Sequence, residues 1–138
     1  MLIASNSHQP IRSIRTGAAS PDVLITIRCV AWGVLVIGSG TFTHNLGRPR
    51  APDQDAAPAP DVAAFADWMH AALVEQRVDD LLDYRRRAPF AALQHPTEDH
   101  LLPLYVALGA AGERARVTRL HDSTSWGTLR MDAYSFDG

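Results

Sequence analysis

Residues 33–40 read GVLVIGSG, and this stretch decides the fold class. Residues 33–37 are a short and continuously apolar run, which Gly38, Ser39 and Gly40 bring to an end. A strand that is apolar along its whole length is typical of a sheet covered on both faces, as in α/β proteins. We therefore predict a buried strand followed by a sharp turn, in which the glycines let the backbone bend and approach a ligand closely.

Further strands are predicted on both sides of this stretch. A β-branched run at residues 23–27 indicates one, and residues 116–120 and 128–134 indicate two more near the end of the chain. In the last of these, the apolar residues that alternate with polar neighbours are Leu129, Met131 and Ala133. Residues 1 to about 21 carry little periodicity, so we predict a loose lead-in there.

Helices are predicted between the strands. Asp61 stands where an N-cap would stand, and the apolar stripe after it consists of Val62, Phe65, Ala66, Met69, Ala72, Leu73 and Gln76. A short helix follows over residues 79–87, with predicted buried residues Leu81, Leu82 and Tyr84. A third, over residues 103–110, is apolar nearly all round and is predicted to be buried. Strands with covering helices between them indicate an α/β fold.

The composition excludes several classes of partner. The 138 residues carry a formal net charge of −2 and contain no lysine, so no electrostatic feature favours nucleic acid or an anionic membrane. The apolar runs at residues 29–32 and 34–37 are far shorter than the ~20 residues of a membrane span. Cys29 is the only cysteine, which excludes an internal disulfide. We therefore expect a cytoplasmic protein.

Two of the six histidines have informative neighbourhoods. His44 follows the strand at residues 33–37, at the edge where open α/β sheets bind ligands, although a plain glycine-rich turn is an equally simple interpretation. His100 lies beside Glu98 and Asp99, and a carboxylate there could orient the imidazole or join it as a ligand. Spacing alone supports a simple capped helix start at His100 just as well.

Two blocks of sequence resemble the DOPA-dioxygenase branch of the class III extradiol ring-cleaving dioxygenases. Residues 33–40, followed by THNL at residues 43–46, resemble the strand-and-loop signature of that branch. Residues 95–104, which read HPTEDHLLPL, are similar to its other signature, as are residues 107–110 after them. The resemblance runs from about Gly33 to Phe136 and corresponds to the C-terminal part of the family's catalytic domain.

The resemblance implies a fold, a reaction and roles for particular residues. It implies that residues 33–138 form the C-terminal part of an α/β dioxygenase domain with an incomplete sheet. Residues 1–32 precede this part and match nothing in the family pattern. The family binds a catechol and O2 at non-haem Fe(II) or Zn(II). By resemblance, His100 is the metal ligand, and His44 is a catalytic acid/base that does not bind the metal. The residues then expected to contact the substrate or support the site are Ser39, Gly40, Asn45, Thr97 and Glu98.

The segment before Gly33 departs from the family pattern. The family's remaining ligands come from a His-Gly loop and a later histidine segment, whereas His8 is followed here by Gln9. We therefore predict a truncated chain that binds metal weakly, self-associates and is inactive alone. Two alternatives stay open: a non-catalytic remnant that pairs with another polypeptide or with itself, and a small zinc-binding protein that uses His95, His100 and a carboxylate. The family interpretation predicts that the imidazoles of His44 and His100 converge on one cleft.

Overall fold

The computed structural model describes residues 2–5, 35–112 and 114–137. A four-stranded mixed sheet has the strand order β2-β1-β6-β3. Strand β1 is antiparallel to β2 and parallel to β6, and β3 is antiparallel to β6. Two short strands, β4 and β5, form a separate antiparallel pair. The bounds are β1 (Leu2–Ser5), β2 (Val36–Gly38), β3 (Arg116–His121), β4 (Thr124–Ser125), β5 (Leu129–Arg130) and β6 (Ala133–Asp137).

Five helices lie between β2 and β3 in the chain, so the α/β prediction is confirmed. They are α1 (Pro60–Val74), α2 (Val78–Leu82), α3 (Tyr84–Arg87), α4 (Ala91–Gln94) and α5 (Leu102–Ala111). Helix α5 packs against β1, β2 and β6, and α1 packs against β3. Among the described residues, no helix is both long and apolar enough to cross a membrane.

Strand β1 lies inside the segment predicted to be a loose lead-in, so that prediction is wrong at Leu2–Ser5. The strand is paired on both sides, with Ile3 opposite Ile37 of β2 and opposite Ser135 of β6. This strand forms because it pairs with strands more than thirty residues away. A run of four residues is too short for a strand to be recognised from the alternation of apolar and polar residues. The strand predicted at residues 23–27 lies outside the described residues.

Strand β2 occupies the end of the predicted run, but it is not buried on both faces. Among the described strands it lies at the edge of the sheet, and Leu35 and Ile37 are 51% and 55% exposed. The alternate residue Gly38 faces α5, where an added Cβ would overlap the carbonyl oxygen of Pro103. Glycine therefore lets the strand and the helix approach backbone to backbone.

Helix α1 confirms the predicted buried stripe except at its end. All the predicted apolar residues are buried, whereas Gln76 is exposed and follows the helix at φ 55°. The predicted cap is also wrong, because Ala59 is the N-cap and Pro60 begins the helix. Asp61 is instead engaged by Arg48 and Gln94, whose side chains donate to its carboxylate.

The remaining elements follow the predictions in part. Leu81 and Tyr84 are buried, but Leu82 is 73% exposed. Helix α5 buries only one side, since Leu102 and Val106 are about half exposed because the sheet covers a single face. Strand β3 is confirmed. The strand predicted at residues 128–134 is wrong, because it divides into β5 and β6 at a break after Arg130, and the core takes Tyr134 and Phe136 rather than Leu129, Met131 and Ala133.

Candidate active site

The candidate site lies where two segments run side by side. One is the β2 loop, residues 38–45, and the other is the α4–α5 segment, residues 93–103. The two backbones approach closely at Gly40, where an added Cβ would overlap the carbonyl oxygen of His100. The glycines of the predicted turn therefore serve close packing of the two segments.

Backbone hydrogen bonds join the segments at two points. The amide of Thr41 donates to the carbonyl of His100 at 3.1 Å, and the amide of His44 donates to the carbonyl of Gln94 at 2.9 Å. Both candidate histidines thus take part, through their backbone groups, in the hydrogen bonds that connect the segments. These hydrogen bonds hold the two residues in position.

The imidazole rings of His44 and His100 meet in this arrangement. Their centroids are 3.5 Å apart, and the ring planes are inclined by 49°. His44 is half-buried, and the side chain of His100 is 41% exposed, so solvent reaches the pair. The structure brings the two predicted site residues together, while their chemical roles stay predictions.

The charges around the pair favour a neutral His44. Partial burial is the main cause that lowers the pKa of His44, and the neighbouring His100 lowers it further, against an opposing effect of Asp99. The Asp99 carboxylate lies 3.4 Å from Nε2 of His100. The hydroxyl of Thr97 donates to Asp99, which is the main cause that lowers the pKa of this carboxyl group. A neutral imidazole beside an anionic carboxylate can accept a proton from a bound hydroxyl group.

The other predicted site residues surround the pair or support it. The Asn45 amide donates to the carbonyl of Leu93 at 2.7 Å and so adds a third connection between the segments. The exposed Glu98 lies 3.4 Å from the hydroxyl of Tyr84 and 3.6 Å from Nε of Arg85. Thr97 binds Asp99, Ser39 is exposed, and Gly40 lies at the close approach.

His95 is not placed as a metal ligand. Its ring is buried, and Nε2 lies 2.9 Å from the carbonyl oxygen of Phe42. Burial is also the main cause that lowers the pKa of His95. The zinc-protein alternative, which used His95 and His100 with a carboxylate, is therefore not supported by this arrangement.

The described residues do not fit a complete metal centre by themselves. No group of three or more His, Cys, Asp or Glu side chains among them is arranged to hold a metal ion. A catalytic metal normally requires about three protein ligands. His100 is the one candidate ligand, so further ligands would have to come from outside the described residues.

Thr43 is a site residue that the sequence interpretation missed. Its buried hydroxyl donates to the carbonyl of Thr128 and accepts from the amide of Arg130, both at 2.8 Å. Thr43 thereby fixes the β2 loop to β5, one residue before His44. The partners are more than eighty residues away in the chain, so no local signal in the sequence could have revealed them.

Comparison with known proteins gives a consistent family match. Residues 3–131 match the family described as the catalytic LigB subunit of aromatic ring-opening dioxygenase. The chain is 39% identical over 105 residues to a protein named 4,5-DOPA dioxygenase extradiol from Beta vulgaris, and 38% identical over 105 residues to its namesake from Portulaca grandiflora. Each alignment covers 75% of this chain but only 38% of the relative, so the chain spans less than two fifths of these proteins.

A solved structure shares the fold. The crystal structure of the uncharacterized protein JW3007 from Escherichia coli K12 aligns with a TM-score of 0.65 and 26% sequence identity. The alignment covers 82% of this chain and 49% of that protein. The family match begins at residue 3 and so includes most of β1, which precedes the Gly33 start of the sequence resemblance.

Proposed function

Because this chain belongs to the family of the catalytic LigB subunit of aromatic ring-opening dioxygenase, we propose that its described residues form the C-terminal share of an extradiol ring-opening site. One observation carries this proposal. The rings of His44 and His100 lie 3.5 Å apart on segments that are distant in the sequence, at the end of a sheet strand. Ligand sites of open α/β sheets occur at such strand ends.

His44 is the proposed acid/base of the reaction. Extradiol cleavage of a catechol consumes O2, breaks the ring bond beside the diol and leaves both oxygen atoms in the open-chain product. Protons must leave and rejoin the substrate oxygens, and a half-buried imidazole that is neutral at pH 7 is suited to this. His44 is only half-buried, which is compatible with the approach of a small aromatic substrate.

His100 is the proposed metal ligand contributed by this part of the chain. The metal would be non-haem Fe(II) or Zn(II), and Asp99 beside the ring would orient the imidazole. Since the described residues do not fit a complete centre, we propose that the isolated chain binds metal weakly and cleaves no catechol. We also propose a cytoplasmic location, in line with the single cysteine.

A second candidate function is that of a non-catalytic protein that pairs with another polypeptide or with itself. Two observations favour it: the incomplete set of ligands, and the exposed apolar residues of β2 and α5. The first function requires a catechol-type small molecule and O2 as substrates, whereas the second requires no substrate. Metal content and ring cleavage separate the two functions.

The test measures metal content and catechol cleavage in two proteins. One is the purified chain, and the other is a chimera in which residues 33–138 replace the matching portion of the Beta vulgaris relative. We expect substoichiometric metal and no product from the chain alone, and ring-opened product from the chimera. In the chimera, His44→Ala should lower the rate by about 10²–10⁴ and leave the metal bound, whereas His100→Ala should remove the metal.

The matched control is His121→Ala, which removes an exposed histidine of β3 whose ring contacts Ser123. This variant should keep both metal and rate. A chimera that binds metal and turns over equally well without His44 would refute the acid/base role. Full metal loading and turnover by the isolated chain would refute the proposal that it binds metal weakly and cleaves no catechol.

A further inference from the structure

We propose that His95 is a positioning residue that sets the spacing of the His44–His100 pair by holding the carbonyl group of Phe42. The effect of this positioning on catalysis rests on the proposed function. His95 would touch neither substrate nor metal, and it would act through the two segments that carry the pair.

The hydrogen bond of His95 is fully enclosed. The ring is 0% exposed, and Nε2 lies 2.9 Å from the carbonyl oxygen of Phe42. A carbonyl oxygen only accepts, so Nε2 must carry the proton and donate it. Nδ1 is buried without a partner among the described residues, which favours the neutral ring with a single N–H group.

The bond fills a gap between the two backbone connections. On one side the amide of Thr41 donates to His100, and on the other the amide of His44 donates to Gln94. Between these points the α4–α5 segment turns away from the β2 loop at residues 96–99. No backbone amide of the described residues donates to the Phe42 carbonyl. The His95 side chain supplies the missing donor. It replaces a backbone contact at the place where the two segments diverge.

Phe42, which lies on the β2 loop, is held in place by its own contacts with the core. Its amide donates to the carbonyl of Arg130 at 3.3 Å, and its ring packs against Tyr134 with a centroid distance of 5.6 Å. His95 therefore fixes the α4–α5 segment to a residue that the core already holds. His44 lies two residues beyond Phe42, and His100 lies five residues beyond His95. A shift at the His95–Phe42 contact changes the distance between the two rings.

A role in core packing alone does not explain this residue. A leucine of similar size would fill the space, but it would leave the buried Phe42 carbonyl without a donor, which is a costly state for a backbone group. The segments could then relieve that state only by moving apart or by admitting water. Either change alters the placement of the pair before it alters the rest of the fold.

The experiment measures the nuclear Overhauser cross-peak between the ring protons of His44 and His100 in chain with isotope-labelled histidine. His95→Gln retains an amide donor at about the position of Nε2, His95→Asn has an amide that is too short to reach, and His95→Leu has no donor. We expect the cross-peak in the wild type and in the Gln variant, and its loss in the Asn and Leu variants. The matched control His70→Leu removes the half-buried histidine that contacts Tyr134, and it should keep the cross-peak.

The outcomes separate a positioning role from a purely structural one. A cross-peak of wild-type intensity in a folded Leu or Asn variant would overturn the proposal, as would its loss in the Gln variant or its absence in the wild type. Failure of both the Leu and the Asn variant to fold, with a folded Gln variant, would also overturn the proposal, because His95 would then be needed for the fold as a whole. The measurement requires neither metal nor turnover. Parallel titration of the same samples with Zn(II) therefore tests the proposed function independently.

Discussion

Single side chains set the candidate site through buried hydrogen bonds. His44 and His100 meet only because neighbouring residues hold their backbones, and Thr43 illustrates how. Its hydroxyl donates to the carbonyl of Thr128 and accepts from the amide of Arg130, and it thereby joins the β2 loop to β5. A threonine that appears unremarkable in the sequence therefore fixes the residue beside the proposed acid/base.

Thr43→Val should destabilise the fold without changing its shape. Valine has nearly the same volume but no hydroxyl, so the carbonyl of Thr128 and the amide of Arg130 would lose their partner. The expected decrease in the free energy of unfolding is about 1–3 kcal/mol, measured by urea denaturation. Thr43→Ser keeps the hydroxyl and should lose clearly less stability. Equal losses for Val and Ser would show that the methyl group, and not the hydrogen bonds, is what matters.

The Asp61 carboxylate makes stability depend on pH in the acid range. Hydrogen bonds from Arg48 are the main cause that lowers the pKa of Asp61 from 3.8 to about 2. The folded state thus binds a proton less readily than the unfolded state. The resulting stabilisation is complete above about pH 4 and is lost as the pH falls through about 2.

Asp61→Asn should therefore cost about 1–2 kcal/mol at pH 7, after allowance for solvent screening of a partly exposed pair. The difference between wild type and variant should be much smaller at pH 2, where about half of the folded-state carboxylate is protonated, and it should vanish below that pH. Denaturant unfolding across this pH range measures both values. Asp67→Asn, on the exposed side of α1, should show no such pH dependence. A difference for Asp61→Asn that is as large at pH 2 as at pH 7 would contradict the ionic origin.

At the scale of elements, close backbone approach decides how β2 and α5 meet. Gly38 and Gly40 occupy positions where a Cβ would overlap backbone oxygens of Pro103 and His100. A backbone oxygen cannot rotate aside as a side chain can, so a larger residue must displace one whole segment. The glycines of the turn at residues 38–40, which the sequence predicts to lie close to a ligand, instead lie close to the α4–α5 segment.

Gly40→Ala should lower the free energy of unfolding by about 1–3 kcal/mol, because the β2 loop and the α4–α5 segment must separate. Thermal denaturation measures the change. Gly109→Ala is the matched control, since no atom lies within 4 Å of the added Cβ in α5. That variant should be neutral or more stable by up to about 1 kcal/mol, because alanine has the higher helix propensity. Tolerance of Gly40→Ala would show that the two segments separate easily.

At the scale of the whole molecule, several large apolar side chains of the described residues are exposed at β2 and α5. Ile37 of β2, Leu35 just before that strand, and Leu102 and Val106 of α5 are each more than half exposed. Strand β2 lies at the edge of the sheet that the described residues form, and exposed apolar edges promote pairing with another chain. The relatives extend well beyond the part that this chain matches.

We therefore expect self-association of the purified chain through the β2 edge, measured by light scattering at several protein concentrations. Ile37→Lys should shift the population toward monomer, because a charge on an edge strand opposes pairing. Leu120→Lys places the same charge at an equally exposed position of β3, at the opposite edge of the sheet, and should leave the mass unchanged. A concentration-independent monomer in the wild type would contradict this prediction.

The sequence by itself determined the local features of this protein. The helical period of α1 identified its buried face from Val62 to Leu73, because one face of a helix repeats at a fixed spacing. The two signature blocks identified the family and singled out His44 and His100. Asp61 as a cap and Leu82 as a buried residue were wrong, since both depend on which neighbours arrive from elsewhere in the chain.

Only the tertiary structure decided which distant segments meet. Strand β1 exists because β2 and β6 pair with it, and the break between β5 and β6 follows the sheet rather than the alternation at Leu129 and Met131. The same holds for the bond from His95 to Phe42, because local sequence cannot specify a contact across fifty-three residues. Non-local hydrogen bonds and close backbone packing form together when the chain folds, and no short window of the sequence contains both partners.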